Sequence, residues 1–375
     1  MLSSCAVGDR DDSTDSSDDS VPTTGACSGG RFQCFAQIQT DGDTGGIRSF
    51  ATPSGLTPAN LAAAYALSSS KAPSATIAIV DAYGYSAAES DLAKYRTQYG
   101  LPACTTANGC FKKVNQSGKT SPLPSKPPAG DDWTVEAALD LDMASAACPS
   151  CKLILVEADD DQGDGLYIAQ NGAASLNPAV ISNSWGGGED GTSFETYFTH
   201  SGINIFASSG DDGNTGKSPQ YPSTSPHVTA VGGTSLKKST TASRGWTETA
   251  WSDAGSSCST TFAKPSWQNV TTGCTKRAAS DISAVANPST GLAVYNAANG
   301  GWIVVGGTSA SSPFVAGVFA RYGLGGETPS WAYSHTTDFF DVTSGKNGSC
   351  SSALCKAAKG WDGPTGIGTP NGAKL

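Results

Sequence analysis

Basic residues are scarce in this chain of 375 residues: 23 Lys and Arg stand against 33 Asp and Glu, a net charge of −10. No basic cluster interrupts that balance, so nothing attracts a phosphate backbone, and nucleic acid is excluded as a partner. Long apolar runs are lacking as well. None approaches the roughly 18 residues of a membrane-spanning helix, so any membrane association would have to run through a lipid. Histidine is rarer still, with only His200, His227 and His335; neither a histidine pair nor a second Cys-x-x-Cys stands at zinc-ligand spacing. Charged residues make up only 15% of the chain while glycine reaches 45 residues, a balance common in secreted enzymes rich in tight turns.

Cysteine, by contrast, is plentiful. Of the 11 cysteines, all but one fall into neighbouring pairs: Cys27 with Cys34, Cys104 with Cys110, Cys148 with Cys151, Cys258 with Cys274, and Cys350 with Cys355. Short-range disulfides are the simplest reading, and they imply an oxidising, extracytoplasmic compartment: the protein is expected to be secreted or held at the cell surface. Cys148-Pro149-Ser150-Cys151 would need to open a helix to act as a redox motif, whereas it follows one. The remaining Cys5 sits in Leu2-Ser3-Ser4-Cys5, which resembles the end of a bacterial lipoprotein signal and so implies a lipid anchor; the alternative is a free thiol in a solvated tail.

Asp9 to Thr24 is almost entirely Asp, Ser, Thr and Pro, which bury no apolar area, so residues 1–25 read as a disordered tether. A short N-terminal segment, residues 26–55, leads to the main domain, residues 56–375. Leu61 to Leu67 reads as a helix. Apolar strands follow at Thr76–Val80, Leu153–Val156, Val180–Ser182, Asn204–Ala207 and Val228–Val231, with helical segments between several of them. Strands alternating with helices predict an α/β fold, a doubly wound and mostly parallel sheet with helices on both faces, whose chemistry collects at the carboxyl ends of the strands.

Gly306-Gly307-Thr308-Ser309-Ala310-Ser311-Ser312-Pro313 precedes the apolar stretch Phe314 to Val318, which puts Ser309 in the first turn of a buried helix. Unpaired N–H groups and the positive end of the helix dipole favour an oxyanion there. A serine nucleophile needs a base. Trp133 to Asp142 is alanine-rich and helical, and Glu136 and Asp140, four apart, share one of its faces, where two carboxyls can hold one proton between them. Asp142 should point elsewhere, and Asp132 is a candidate further member.

The Gly-Thr-Ser-x-x-Ser-Pro-x-x-Ala-Gly segment resembles the nucleophile segment shared by subtilisins and sedolisins. None of the three histidines is followed by the glycine of a subtilisin His segment, so a Ser-His-Asp triad is poorly supported. Asp81 resembles the strand-end aspartate of subtilisins; without its histidine it reads as structural. The chain order of Glu136-Ala-Ala-Leu-Asp140, then Ala207 to Gly213 with Asp211, then Gly307-Thr308-Ser309 closely resembles the sedolisin, or serine-carboxyl peptidase, family. That resemblance runs from about Leu56 to the C-terminus. It implies a subtilisin-like fold and peptide-bond hydrolysis at acidic pH, with Ser309 as nucleophile, Glu136 as base, Asp140 orienting it and Asp211 in the oxyanion hole. It also implies that Ser184, Trp185, Gly186 and Gly187 align substrate, and that Ca2+ is held by Asp341 and Asp362 side chains and by the Val342, Ala358 and Gly360 carbonyls. Proteins or peptides would be the substrates, and a monomer is expected. The cysteine pairs are more numerous than that family's pattern. Roughly fifty residues before Leu56 are also short beside the long folded propeptide usual in it, which leaves open how such an enzyme would be restrained; trimming of the chain would explain the gap equally well. Two rival readings are a Ser-His-Asp peptidase of subtilisin type and an inactive sedolisin-like binding module.

Overall fold

The computed structural model describes residues 21–68, 74–214 and 219–375. Cys5 and most of the expected tether lie outside these residues. At the carboxyl end of the expected tether, Thr23–Gly25 forms an edge strand antiparallel to Gln37–Gln39. Residues 26–55 are no separate lead-in either. Gln37–Gln39 and Ser49–Phe50 both pair with Gly301–Gly306, which in turn pairs with Leu292–Asn296, so the N-terminal segment completes a small antiparallel sheet of the main body.

The central sheet has eight strands. Seven run, in spatial order, Trp246–Ala250, Val228–Lys238, Asn204–Ser208, Val180–Asn183, Thr76–Ala82, Lys152–Ala158 and Phe111–Asn115. Ile282–Val285 pairs with the middle of Val228–Lys238, from Val231 to Thr234. All neighbours are parallel except Trp246–Ala250. Residues Ile77 to Ala82 are buried without a break, as expected of a parallel strand covered on both faces. The helices Trp133–Ala147 and Thr308–Arg321 pack on each other and on the sheet, while Gly165–Ala174 packs on Thr76–Ala82 and Lys152–Ala158. The α/β expectation therefore holds, and the strand order reverses beside Thr76–Ala82, the point where such sheets open a crevice.

Each expected strand is present and longer than its apolar run, because polar residues at the ends still find ladder partners. One helix differs. It spans Pro58–Ala64, where Leu61 to Leu67 was expected: Thr57 accepts from the Asn60 N–H while the Asn60 side chain accepts from the Thr57 N–H, so the capping box starts it early. It stops at Tyr65, since Ala66 has φ +52°. The ten paired cysteines form the five expected neighbouring disulfides. Cys148–Cys151 closes the turn just after the Trp133–Ala147 helix.

Candidate active site

The Trp133–Ala147 helix begins at Asp132, whose carboxylate accepts from the Thr134 N–H at 3.2 Å. All of its residues but Thr134 are buried, so its acids have no solvated face to occupy. Glu136 and Asp140 are both 0% exposed. Burial drives both well above the usual carboxylate range, and the charge of Glu136 raises Asp140 further, so the pair holds a proton. The charge of Asp81 is the next largest influence on each. Asp81 sits at the end of Thr76–Ala82, 1% exposed, with neither oxygen hydrogen-bonded. It is thus a third member of the cluster rather than the structural residue expected from sequence, and the strand-end position was the available signal. Asp132 does not join: it caps the helix and accepts from the Asn299 amide at 2.7 Å. Asp142 turns away as expected, accepting from the Tyr295 N–H at 3.2 Å.

Ser309 lies in the first turn of the Thr308–Arg321 helix, which Gly307 enters with φ 99°. Its Oγ donates to the Ser184 carbonyl at 3.1 Å, and its nearness to Glu136 pulls the acid's proton affinity down against the effect of burial. Pro313, inside the helix, has no N–H to offer the carbonyl of Ser309 four residues earlier. That carbonyl instead meets Ser184 Oγ at 3.3 Å, and the same Oγ stands 2.7 Å from Asp140 Oδ1. A protonated Asp140 can therefore donate to Ser184, which passes a bond on to the nucleophile's own turn.

Asp211 Oδ1 accepts from the Thr308 N–H at 2.8 Å and from Thr308 Oγ1 at 2.7 Å. Its Oδ2 is buried without a donor and stands 2.7 Å from where a Cβ on Gly307, two residues before Ser309, would be. Burial raises Asp211 to about 8 against the bonds from Thr308. Below that pH the acid is neutral and can donate to an oxyanion; above it, the carboxylate would repel one. A cleft of about 570 Å³ opens beside it, lined by Glu189, Gly210, Asp211, Gln220 and Gly255 among others.

The three histidines are engaged elsewhere. His200 Nε2 bonds the Tyr197 carbonyl, His227 lies 3.8 Å from Glu195, and His335 stacks on Trp331. The expected aligning residues Ser184 to Gly187 lead up to Gly188 in that cleft's wall, and they are not vacant. Gln33 pairs with Gly186 and Cys34 with Trp185 in antiparallel register, so the chain's own N-terminal segment lies along them. A Cβ at Gly187 would stand 2.9 Å from the Arg31 carbonyl, close enough that only glycine accepts that strand.

In the C-terminal loop, Asp362 is buried and Asp341 exposed. Asp362 Oδ1 accepts from the Thr365 N–H and Oγ1, its Oδ2 from the Ala358 N–H, and Asp341 Oδ2 from the Gly360 N–H at 3.0 Å. Burial pushes Asp362 up to about 7 and the charge of Asp341 adds to it. Two carboxyls facing each other among turn backbone are a donor set that fits a hard cation. Cys27, Cys34 and Glu136 also stand within 4.8 Å of one another, but the sulfurs are joined in a disulfide and offer no thiolate.

Residues 131–331 match the model of the subtilase family. Kumamolisin from Bacillus sp. (strain MN-32) is 31% identical over 365 aligned residues, 87% of this chain and 64% of that protein. Sedolisin from Pseudomonas sp. (strain 101) is 31% identical, covering 86% of this chain and 61% of that protein. The chain thus spans a little under two thirds of the length of these relatives. Among solved structures, Pseudomonas sedolisin (serine-carboxyl proteinase) complexed with two molecules of pseudo-iodotyrostatin superposes with a TM-score of 0.72. The two are 29% identical, over 87% of this chain and 98% of that one.

Proposed function

Because the chain belongs to the subtilase family and, within it, to the sedolisins, we propose that it is a serine-carboxyl peptidase that hydrolyses proteins or peptides in acid through an acyl-enzyme. One observation carries the reading: Glu136 and Asp140 lie fully buried together, Glu136 feels the Ser309 hydroxyl, and all three histidines are engaged elsewhere. Ser309 attacks the scissile carbonyl. Glu136 takes the serine proton, Asp140 orients it, and the leaving amine receives that proton in turn. Neutral Asp211 donates to the oxyanion. Asp81, itself raised to about 8 by burial and then by the charge of Glu157, adds a third buried acid, so that the cluster keeps protons into the neutral range.

Ser184 to Gly187 offer backbone to an extended substrate, the Ser184 carbonyl as acceptor and Trp185 and Gly186 as a strand edge. In the C-terminal loop, Asp341 and Asp362 would hold Ca2+ with the carbonyls of Val342, Ala358 and Gly360; the ion's role is to tie that loop down, remote from the chemistry. Disulfides suit an extracytoplasmic protein, secreted or anchored through Cys5, acting as a monomer. The test is digestion of casein in acidic buffers by wild type, Ser309→Ala and Glu136→Gln. Loss of digestion in both folded variants supports the reading, and near-normal digestion by either would refute it. Replacing each histidine separately should leave turnover in place; loss from any one would return the histidine triad.

A further inference from the structure

The segment lying along Ser184 to Gly187 fixes a register, and that register carries one of its side chains into a pocket the chemistry does not use. Gln33 pairs with Gly186 and Cys34 with Trp185, and the Phe35 N–H meets the Ser184 carbonyl at 3.2 Å. The Phe35 carbonyl lies beside Asp211: a Cβ on Gly307 would stand 1.7 Å from that oxygen and 2.7 Å from Asp211 Oδ2. A substrate drawn along the same edge would present the residue under attack at the place of Phe35. Four residues upstream of that place stands Arg31.

Arg31 Nη1 stands 2.8 Å from Asp164 Oδ1, and Nη2 stands 2.8 Å from Asp190 Oδ2. Its Cζ lies 5.5 Å from the Tyr167 ring centroid and 5.7 Å from that of Phe194, within reach of a cation–π attraction. The two acids come from separate elements. Asp164 precedes the Gly165–Ala174 helix, and Asp190 follows the Trp185–Gly186 strand. Asp164 holds the N-cap place of its helix, where an aspartate ordinarily accepts from the helix's own amides. Here it makes no such bond, and its carboxylate accepts from the guanidinium instead. The Tyr167 hydroxyl donates to Asp190 Oδ2 at 3.2 Å and steadies that carboxylate, while the Tyr167 and Phe194 rings lie 4.7 Å apart. Among the described residues no other base pairs with either acid.

We propose that Asp164, Asp190, Tyr167 and Phe194 form a substrate subsite for arginine, four residues upstream of the residue whose carbonyl is attacked. The inference rests on the peptidase reading above and adds a side-chain preference to it. Arginine suits the site better than lysine. Its two terminal nitrogens take one carboxylate each and its flat ion lies near two aromatic rings, whereas an ammonium is a single point. Exposure sets the size of the effect. Arg31 keeps 32% of its side-chain surface in water, Asp164 51% and Asp190 34%, so the charges are screened by solvent and salt. The site is also remote from the bond that breaks, so it holds bound substrate and transition state alike and acts through KM more than through kcat.

The probes are four quenched peptides of one sequence, with arginine, lysine, citrulline or glutamate at that position; citrulline has the shape of arginine without its charge. The full chain is assayed in acidic buffer at low salt, and product masses locate the cut. Residues 31–35 compete with every peptide alike, so ratios of kcat/KM are unaffected by them. Wild type should favour arginine over citrulline by about tenfold, chiefly through KM, with glutamate last. Salt at about 0.5 M should shrink that ratio. Asp164→Asn combined with Asp190→Asn should bring it near one, and Asp164→Lys should rank glutamate above arginine. Asp164→Asn alone, at the exposed rim, should reduce the preference by about threefold and serves where the double variant does not fold. Equal kcat/KM for arginine and citrulline in wild type, a cut in another register, or a preference that survives these substitutions would overturn the subsite and leave the peptidase reading standing. So would digestion of casein with all four peptides left intact. A wild type inert toward the peptides and toward casein would sink both.

Discussion

Two groups of acids in this molecule use the same side chains to opposite ends. In the C-terminal loop, Asp362 is buried, yet both its oxygens accept from backbone or hydroxyl donors, and Asp341 accepts from the Gly360 N–H. Below Ser309, one oxygen each of Glu136, Asp140 and Asp211, and both of Asp81, are buried with no donor. In the loop the built-in donors offset part of the cost of burial, which still leaves Asp362 raised to about 7. In the cleft the missing donors leave two choices, a shared proton or a bound substrate's N–H, and the Ala36 N–H on Glu136 is an instance of the second. Satisfied acids hold a fold together, whereas unsatisfied ones are held ready for a proton that moves.

The comparison breaks most visibly at the cleft. Ser309→Ala or Glu136→Gln should cut kcat/KM by about 10⁴-fold or more with the melting temperature nearly unchanged, as steady-state kinetics and calorimetry on the same samples would reveal. Asp81→Asn keeps the shape and removes one acid from the cluster. Asp81 is neutral at acidic pH, its own value being raised to about 8, so the loss there should stay below roughly threefold and the kcat/KM profile should shift only near that value; an unmoved profile there would return Asp81 to a structural role.

Stability should respond in the same sense. Glu136, Asp140 and Asp211 all have folded values raised above the unfolded ones, Asp211 to about 8. Folding therefore takes up protons. The contribution is fully present below about pH 4 and is lost as pH rises through the raised values, so the melting temperature should fall from acid toward mildly alkaline buffer by roughly 5 °C or more. A melting temperature that climbs over that range would contradict the buried protonated cluster. The loop gives the smallest effect. If Asp341 and Asp362 hold Ca2+, excess chelator should lower the melting temperature by roughly 5 °C while leaving kcat on a small peptide unaltered, and no shift in metal-free protein would remove the ion from the account.

Much of this arrangement is local and so could be read in advance. Four residues make one helical turn, which puts Glu136 and Asp140 on one side; a Gly-Thr-Ser run before an apolar stretch puts Ser309 at a helix start; closely spaced cysteines find their neighbours. What escaped is long-range. Gln33 and Cys34 form a two-residue strand whose partners lie about 150 positions away, and Phe35 meets a serine 274 residues along the chain. No periodicity of so short a segment points to its docking place. Asp81 was misjudged for a related reason: its strand was recognisable, but its effect on Glu136 depends on a helix that begins some fifty residues later.

The central claim is that a neutral Asp211 serves where a carboxylate would repel. Its most direct test is kcat/KM against pH on one added peptide, for wild type and Asp211→Asn. Wild type should peak below about pH 8 and decline as pH rises through the Asp211 value of about 8. The asparagine, a donor at every pH, should flatten that alkaline limb if its amide reaches the same oxygen. A wild-type optimum at or above about pH 8, unaltered by Asp211→Asn, would contradict the carboxyl mechanism outright.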